Sequence, residues 1–404
     1  MILNNRFMKK LMEIRLKLGF FIIIFLIFSN FSCDSNVSEK KLSDSDVVKE
    51  QGLNESENSN DLDLGEGESA DIDMDYKKDP VFRSHWNIDE QNGYDWEEGE
   101  EYSTAMDYVR LPLVKNGTYD FIVKWGDGLQ DSIKNWDDKE KLHIYSVPGV
   151  YEVEITGVFE GWKVDSELGM GAYCNLMEIS NWGTMAFGDT SEQFYECDDL
   201  KITAKDAPDL RETKSLQSAF AECWNVSGSA YWNTWDVSNI ESMVNMFSGT
   251  RFNGDISNWD VSKTTKMNGM FMSSDFNGDV SNWDVSNVEM MDMMFFGSEF
   301  NGNISRWNVR KVNSMSRMFE RSKFKDDISN WDVSSAKNME RMFSGVELPT
   351  DIYDSMLIKW SELQLQQDVV LDIFRTKYSS DAVKAREKII NDFNWTINDA
   401  GLEE

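Results

Sequence analysis

Two histidines, His85 and His143, and four cysteines, Cys33, Cys174, Cys197 and Cys223, are all that 404 residues offer for imidazole or thiol chemistry. That leaves little material for a zinc site or a Cys/His catalytic pair. Five prolines and four cysteines also exclude a collagen-like or disulfide-dense scaffold, so any core must be made by packing. Basic residues are the next shortage: 40 Lys and Arg face 72 Asp and Glu, a net charge of −32. Such a balance argues against sequence-independent attraction to nucleic acid. The chain carries no Gly-rich phosphate loop, His-x-x-x-His, nucleophile elbow or Cys-x-x-Cys. Carboxylates are plentiful by composition alone, so their pairing points to no acid/base site, and no enzymatic activity is expected. Apolar residues make up 41%, enough for cores in two or three domains, and 15 Trp, 24 Phe and 22 Met are unusually many.

Long hydrophobic runs are also scarce. Arg6, Lys9, Lys10, Arg15 and Lys17 precede one apolar stretch from Leu18 to Phe28, followed by Ser32-Cys33. The stretch suits a signal-peptide core and is short for a bilayer span. A basic segment, an apolar core and a small residue before a cysteine resemble a bacterial lipoprotein signal. By that resemblance residues 1–33 form the signal, and Cys33 becomes the lipidated first residue of an exported chain; the alternative is an uncleaved anchor. Residues 34–79 hold fifteen acidic residues, five lysines and no aromatic before Tyr76. They bury too little to offset their ordering entropy, so an extended acidic tether is expected.

From 80 to 158 strand alternation takes over, as in Tyr119-Asp120-Phe121-Ile122-Val123-Lys124-Trp125 and Val150-Tyr151-Glu152-Val153-Glu154-Ile155. A β-sandwich is expected. Trp125-Gly126-Asp127-Gly128, His143-Ile144-Tyr145 and Pro148-Gly149-Val150-Tyr151 resemble the polycystic-kidney-disease-type sandwich. Asp127 is expected to bond backbone in its turn, with calcium there as the lesser alternative, and His143 to be a structural strand residue.

The aromatic surplus is periodic. Trp235, Trp259, Trp283, Trp307 and Trp331 stand 24 residues apart, as do Val237 to Val333 and the Met-Phe pairs from Met246-Phe247 to Met342-Phe343. Such regularity predicts a solenoid. Trp259 and Val261, two apart, read as a short strand; Ile240, Met243, Met246 and Phe247 read as one face of a short helix. Ser238, Ser262, Ser286 and Ser334 fall where a helix N-cap belongs, with Glu241 and Glu289 completing capping boxes. Asn253-Gly254, Asn277-Gly278 and Asn301-Gly302 mark the returning turn. The Met and aromatic stripes are core.

These units resemble the BspA-type leucine-rich-repeat surface proteins, through Trp-Asp-Val-Ser-Asn-Val, Met-x-x-Met-Phe and Phe-Asn-Gly-Asp-Ile-Ser. The resemblance implies an α+β, leucine-rich-repeat-like solenoid of 24-residue strand-helix coils. A small β-sandwich at 80–158 would precede it and degenerate N-terminal coils would fill 159–234. The regular coils would occupy 235–347, and an α/β cap would close the chain at 348–404. Arg310 for Ser and Lys325-Asp326 for Asn-Gly depart from the pattern, so the fourth and fifth coils are expected to turn differently.

Two columns of acids follow from the period: Asp236, Asp260, Asp284, Asn308, Asp332, and Asp255, Asp279, Asn303, Asp327. If coils stack at about 4.8 Å, neighbours repel by roughly 1 kcal/mol even at water's dielectric. Solvation or turn bonding is the expected relief; calcium along Asp236, Asp260, Asp284 and Asp332 is the alternative, and no other cofactor is expected. Cys174, Cys197 and Cys223 allow one disulfide plus a free thiol or three buried thiols. A membrane-anchored binding protein is expected, displayed on the outer surface. Adhesion to host matrix or cell-surface proteins is what the resemblance implies. Asn258, Asp260, Asn282, Asp284 and Ser305 are the expected contacts, favouring a basic partner patch. A periplasmic envelope scaffold is the other reading.

Overall fold

The computed structural model describes residues 79–88, 107–164 and 174–403. The signal, Cys33 and nearly all of the tether lie outside the described residues. No helix among the described residues is long and apolar enough to cross a membrane.

Strand alternation builds the first part. Along β1 (Phe82–Ile88), Phe82, Ser84, Trp86 and Ile88 are buried and the residues between them half-exposed. In β3 (Leu113–Lys124) Tyr119, Phe121 and Val123 turn inward, and in β6 (Gly149–Trp162) Val153, Ile155 and Phe159 do. With β4 (Gln130–Ile133), β7 (Leu176–Asn181), β8 (Met185–Ala186) and β9 (Lys201–Ile202) they form a seven-stranded sheet. Its order is β4-β3-β6-β1-β7-β9, with β8 added on β6. The sheet is mixed, because β6–β8 and β7–β9 pair in parallel while the other pairs are antiparallel. β2 (Tyr108–Arg110) and β5 (Leu142–Ile144) make a separate antiparallel pair. The expected sandwich ending at 158 is thus replaced by one mixed sheet that draws strands from as far as Ile202. Runs as short as Met185-Ala186 and Lys201-Ile202 have no alternation to betray them; they become strands only because neighbouring backbone satisfies them.

The expected solenoid of strand-helix coils does not form. Between Trp235 and Gly345 the described residues contain no α-helix and, beyond isolated parallel bridges, no β-strand. The two α-helices among the described residues, α1 (Thr350–Trp360) and α2 (Val383–Phe393), both come later. The cause is local. In every unit two residues four apart take left-handed backbone angles: Asn245 and Gly249, Gly269 and Ser273, Met293 and Gly297, Arg317 and Arg321, Arg341 and Gly345. Each such residue ends a helical turn as soon as it starts. Inside the unit the bonds are those of tight turns, as from Met246 N to Met243 O at 3.2 Å. The NH groups between them reach the next unit instead: Met243 to Lys266 O, Asn245 to Asn268 O, Phe247 to Met270 O and Gly249 to Met272 O, all at 2.8–2.9 Å. Parallel bridges run likewise through Ser242, Lys266, Met290, Ser314 and Asn338. A repeat of tight turns places side chains on one face every three or four residues, which is why the Met-Phe half reads as helix in sequence.

The stripes do form the core, as expected. Phe247, Phe271, Phe295, Phe319 and Phe343 stack with centroids 5.6–6.0 Å apart. Trp259, Trp283, Trp307 and Trp331 follow at 6.4 Å. Each of these indole NH groups donates to a carbonyl of the preceding unit, Trp259 to Trp232 O, Trp283 to Ile256 O, Trp307 to Val280 O and Trp331 to Ile304 O, at 2.8–3.1 Å. Units of 26 and 27 residues continue the stack toward the sheet, with left-handed Glu192 and Glu196, then Ser218 and Glu222, in equivalent places. At the other end β10 (Val370–Ile373) and β11 (Thr396–Asp399) pair in parallel around α2. Phe343 N donates to Asp372 O at 3.2 Å, joining the last unit to β10. Tyr353, Met356, Leu357 and Trp360 of α1 are buried.

Candidate functional site

The outward side of the stacked turns is a set of rows, one residue per unit, each fixed from beneath. In the first acid row, Asp236, Asp260, Asp284 and Asp332 each accept the NH of the serine two residues on, at 3.0–3.1 Å. Asn308 accepts the Arg310 NH at 3.3 Å in the same manner. The second row repeats this: Asp255, Asp279, Asn303 and Asp327 accept from Ser257, Ser281, Ser305 and Ser329 at 2.7–3.1 Å. The serines read as helix caps are therefore donors in Asx turns. These bonds hold the Asp260 and Asp279 carboxyls below the ordinary carboxylate value; at Asp260 the Ser262 hydroxyl contributes most, at Asp279 the Ser281 NH.

Asparagine makes a third row. Asn253 Oδ1 accepts the Asn277 NH, Asn277 the Asn301 NH and Asn301 the Lys325 NH, at 2.8–2.9 Å. The glycines that follow are not in the left-handed region and make no turn. A Cβ on Gly254, Gly278 or Gly302 would lie 2.8–2.9 Å from the ring of Phe252, Phe276 or Phe300, so each glycine gives a phenylalanine room. Lys325-Asp326 and Arg310 keep the hydrogen bonds of their equivalents, so the fourth and fifth units do not turn differently.

Asn258 and Asn282 are exposed in one row and Asp260 and Asp284 in the next but one. The structure thus brings four of the five expected contacts together. Ser305 is half-buried, bonded to Asn303, and one residue out of register; the position aligned with Asn258 and Asn282 is Arg306. Among the described residues no three His, Cys, Asp or Glu side chains form a group that could hold a metal ion. Asp127 accepts the Leu129 NH at 3.0 Å and meets His143 Nε2 at 2.8 Å, while His143 stacks on Trp125 at 4.8 Å. Burial pushes the Asp127 carboxyl up, but the Leu129 and His143 bonds outweigh it and leave it below the ordinary value.

The period concealed the charge distribution. Residues 235–305 carry three basic and ten acidic residues, net −7, whereas 306–341 carry nine basic and five acidic, net +4. The interruption of both acid columns by Asn in the fourth unit was the visible signal. The arginines and lysines added there mostly lack a counterpart 24 residues away and so give little repeating signal.

A disulfide joins Cys174 to Cys197, and Cys223 is a buried free thiol whose Sγ lies 2.8 Å from Phe194 O. Burial raises its pKa well above the ordinary thiol value.

No curated protein and no solved structure matches the chain. Residues 214–322 and 273–366 match the family described as Mycoplasma protein of unknown function, DUF285, a similarity confined to the stacked units and the start of the C-terminal part.

Proposed function

We propose that the chain is a non-enzymatic, lipid-anchored binding protein of the bacterial cell surface, resembling the BspA-type proteins in the motifs of its repeat and not in coil geometry. The observation that carries the reading is the set of exposed polar rows, each repeated every 24 residues and tied from below by Asx and Asn bonds. Side chains held at a fixed spacing lose little entropy when a large partner docks, which favours macromolecular ligands over small ones. Asn258, Asp260, Asn282 and Asp284 present acid and amide groups suited to a basic protein surface. The Cys174–Cys197 bridge is in keeping with an oxidising compartment.

Protease treatment of intact cells tests the display, with a tag on the C-terminus and a periplasmic protein as control. Loss of the tag, and release of a Cys33→Ala variant from the membrane fraction, are the expected results. A tag that survives shaving while the periplasmic control also survives would move the protein to the periplasm and replace adhesion with an envelope scaffold.

A further inference from the structure

The basic half of the stack is built by replacing residues whose structural work is retained. Asn303 and Asn308 make the same turn bonds as the aspartates they replace, at 3.1 and 3.3 Å, so the turn needs an acceptor oxygen and not a charge. In the same unit Arg306 stands where Asn258 and Asn282 stand, and in the next unit Lys325 takes the place of Asn253, Asn277 and Asn301. Arg321, Lys323 and Lys325 are exposed while Ser322 and Phe324 between them are buried, so the three basic side chains leave one edge together. Further along the same unit, Lys359 of α1 reaches Asn330 Oδ1 and Ser329 Oγ, both at 2.9 Å, and Asn330 is the residue that stands in register with Arg306 of the unit before.

The carboxylates of this stretch are mostly spent elsewhere. Buried Glu320 is held between Arg341 at 2.8 Å and Arg317 at 3.8 Å, and Asp332 lies 3.7 Å from Arg310. Asp327 turns to the Ser329 NH, and Asp326 is half-buried. Among the described residues no ion pair engages Arg306, Arg321, Lys323, Lys325 or Lys359, which leaves five cations facing solvent on a chain of net −32.

We propose that the edge formed by Arg306, Arg321, Lys323, Lys325 and Lys359 binds a linear sulfated polysaccharide. Exposed cations without an ion pair among the described residues suit a polymer that carries many anions, and release of its counterions supplies the driving force. Every Phe and Trp from Phe300 to Phe343 is buried, so the edge offers no platform on which nucleic-acid bases could stack. The acidic units alongside repel a second stretch of polyanion and confine binding to this end. The choice of an extracellular polymer rests on the surface reading above; the cationic edge itself does not.

The test uses the purified chain and heparin as probe, with affinity measured across salt concentrations. The native chain binds at physiological salt. The triple variant R306N/R321G/K325N carries only residues that other units use at those positions. It loses affinity by about tenfold or more, and the slope of log affinity against log salt falls by roughly two to three. Single R306N, which leaves the left-handed Arg321 untouched, gives a smaller loss in the same direction and serves if the triple variant melts early. Absence of binding by the native chain, equal affinity of native and variant, tighter binding to single-stranded DNA, or binding only to anionic vesicles would each overturn the proposal. Because the assay uses purified protein, its failure leaves the display reading, decided by surface proteolysis, intact.

Discussion

The repeated aspartates show how a residue is chosen for a lone pair and then used for its charge. Asp260 and Asp279 have folded-state pKa values below the ordinary one, so their ionised form is favoured by folding. Their contribution is fully present above the unfolded value of about 3.9 and is lost as pH falls through the lower folded value. The melting temperature of the native chain is therefore expected to drop below about pH 4. D260N/D279N, which keeps the acceptor as Asn303 and Asn308 do, drops less between pH 6 and pH 3 in a thermal melt. An equal drop would show that these turns do not couple to protonation. The spacing of the acids was legible in the sequence, and so was turn bonding as the relief of their repulsion. That the bonded group is the NH two residues on, and not a helix cap, depended on the backbone that follows.

At the level of the element, the left-handed positions decide between helix and turn. Gly249, Gly297 and Gly345 occupy a column whose other members are Ser273 and Arg321. A β-branched residue at Gly297, φ 62°, has room for its Cβ, with only Ser273 Oγ at 3.6 Å, yet takes on backbone strain. Gly297→Val is expected to destabilise by about 1–2 kcal/mol, and Ser273→Gly, which relieves the same strain, to leave stability unchanged or raise it by up to about 1 kcal/mol. Urea unfolding of both variants checks this; a Gly297→Val chain as stable as the native one would mean that the turn can be vacated. The sequence revealed the column's period, but a serine, an arginine and three glycines share no propensity that names a left-handed angle. The same spacing of apolar residues fits a helix and a succession of tight turns equally well.

Across the whole molecule, sheet, stacked turns and C-terminal helices bury one continuous set of residues from Phe82 to Ile397. The Cys174–Cys197 bridge staples the start of that stack, closing a separation of 23 residues. Loss of such a loop constraint costs about 2–4 kcal/mol. C174S/C197S is expected to unfold at correspondingly lower denaturant than the oxidised chain. Mass spectrometry of the native oxidised protein should show no alkylation of Cys223 until denaturant is added. Native-state labelling of Cys223, or a variant as stable as the oxidised chain, would contradict this arrangement.

By itself the sequence determined the 24-residue period, which stripes face inward and where the acids fall, because these depend only on which residues recur at which interval. It also determined that the units must pack on one another, since no single unit can enclose its own Trp, Phe and Met. Tertiary structure alone decided what a coil is made of. The NH groups of Asn245, Phe247 and Gly249 can bond within a helix or reach the next unit, and only the neighbour's carbonyls settle the choice. It likewise decided that Met185-Ala186 and Lys201-Ile202 join the sheet, that Cys174 finds Cys197, and that Lys359 of the C-terminal helix reaches Asn330 of the last unit. Each of these joins residues whose separation carries no local signal, and whose pairing is fixed by the backbone packed between them.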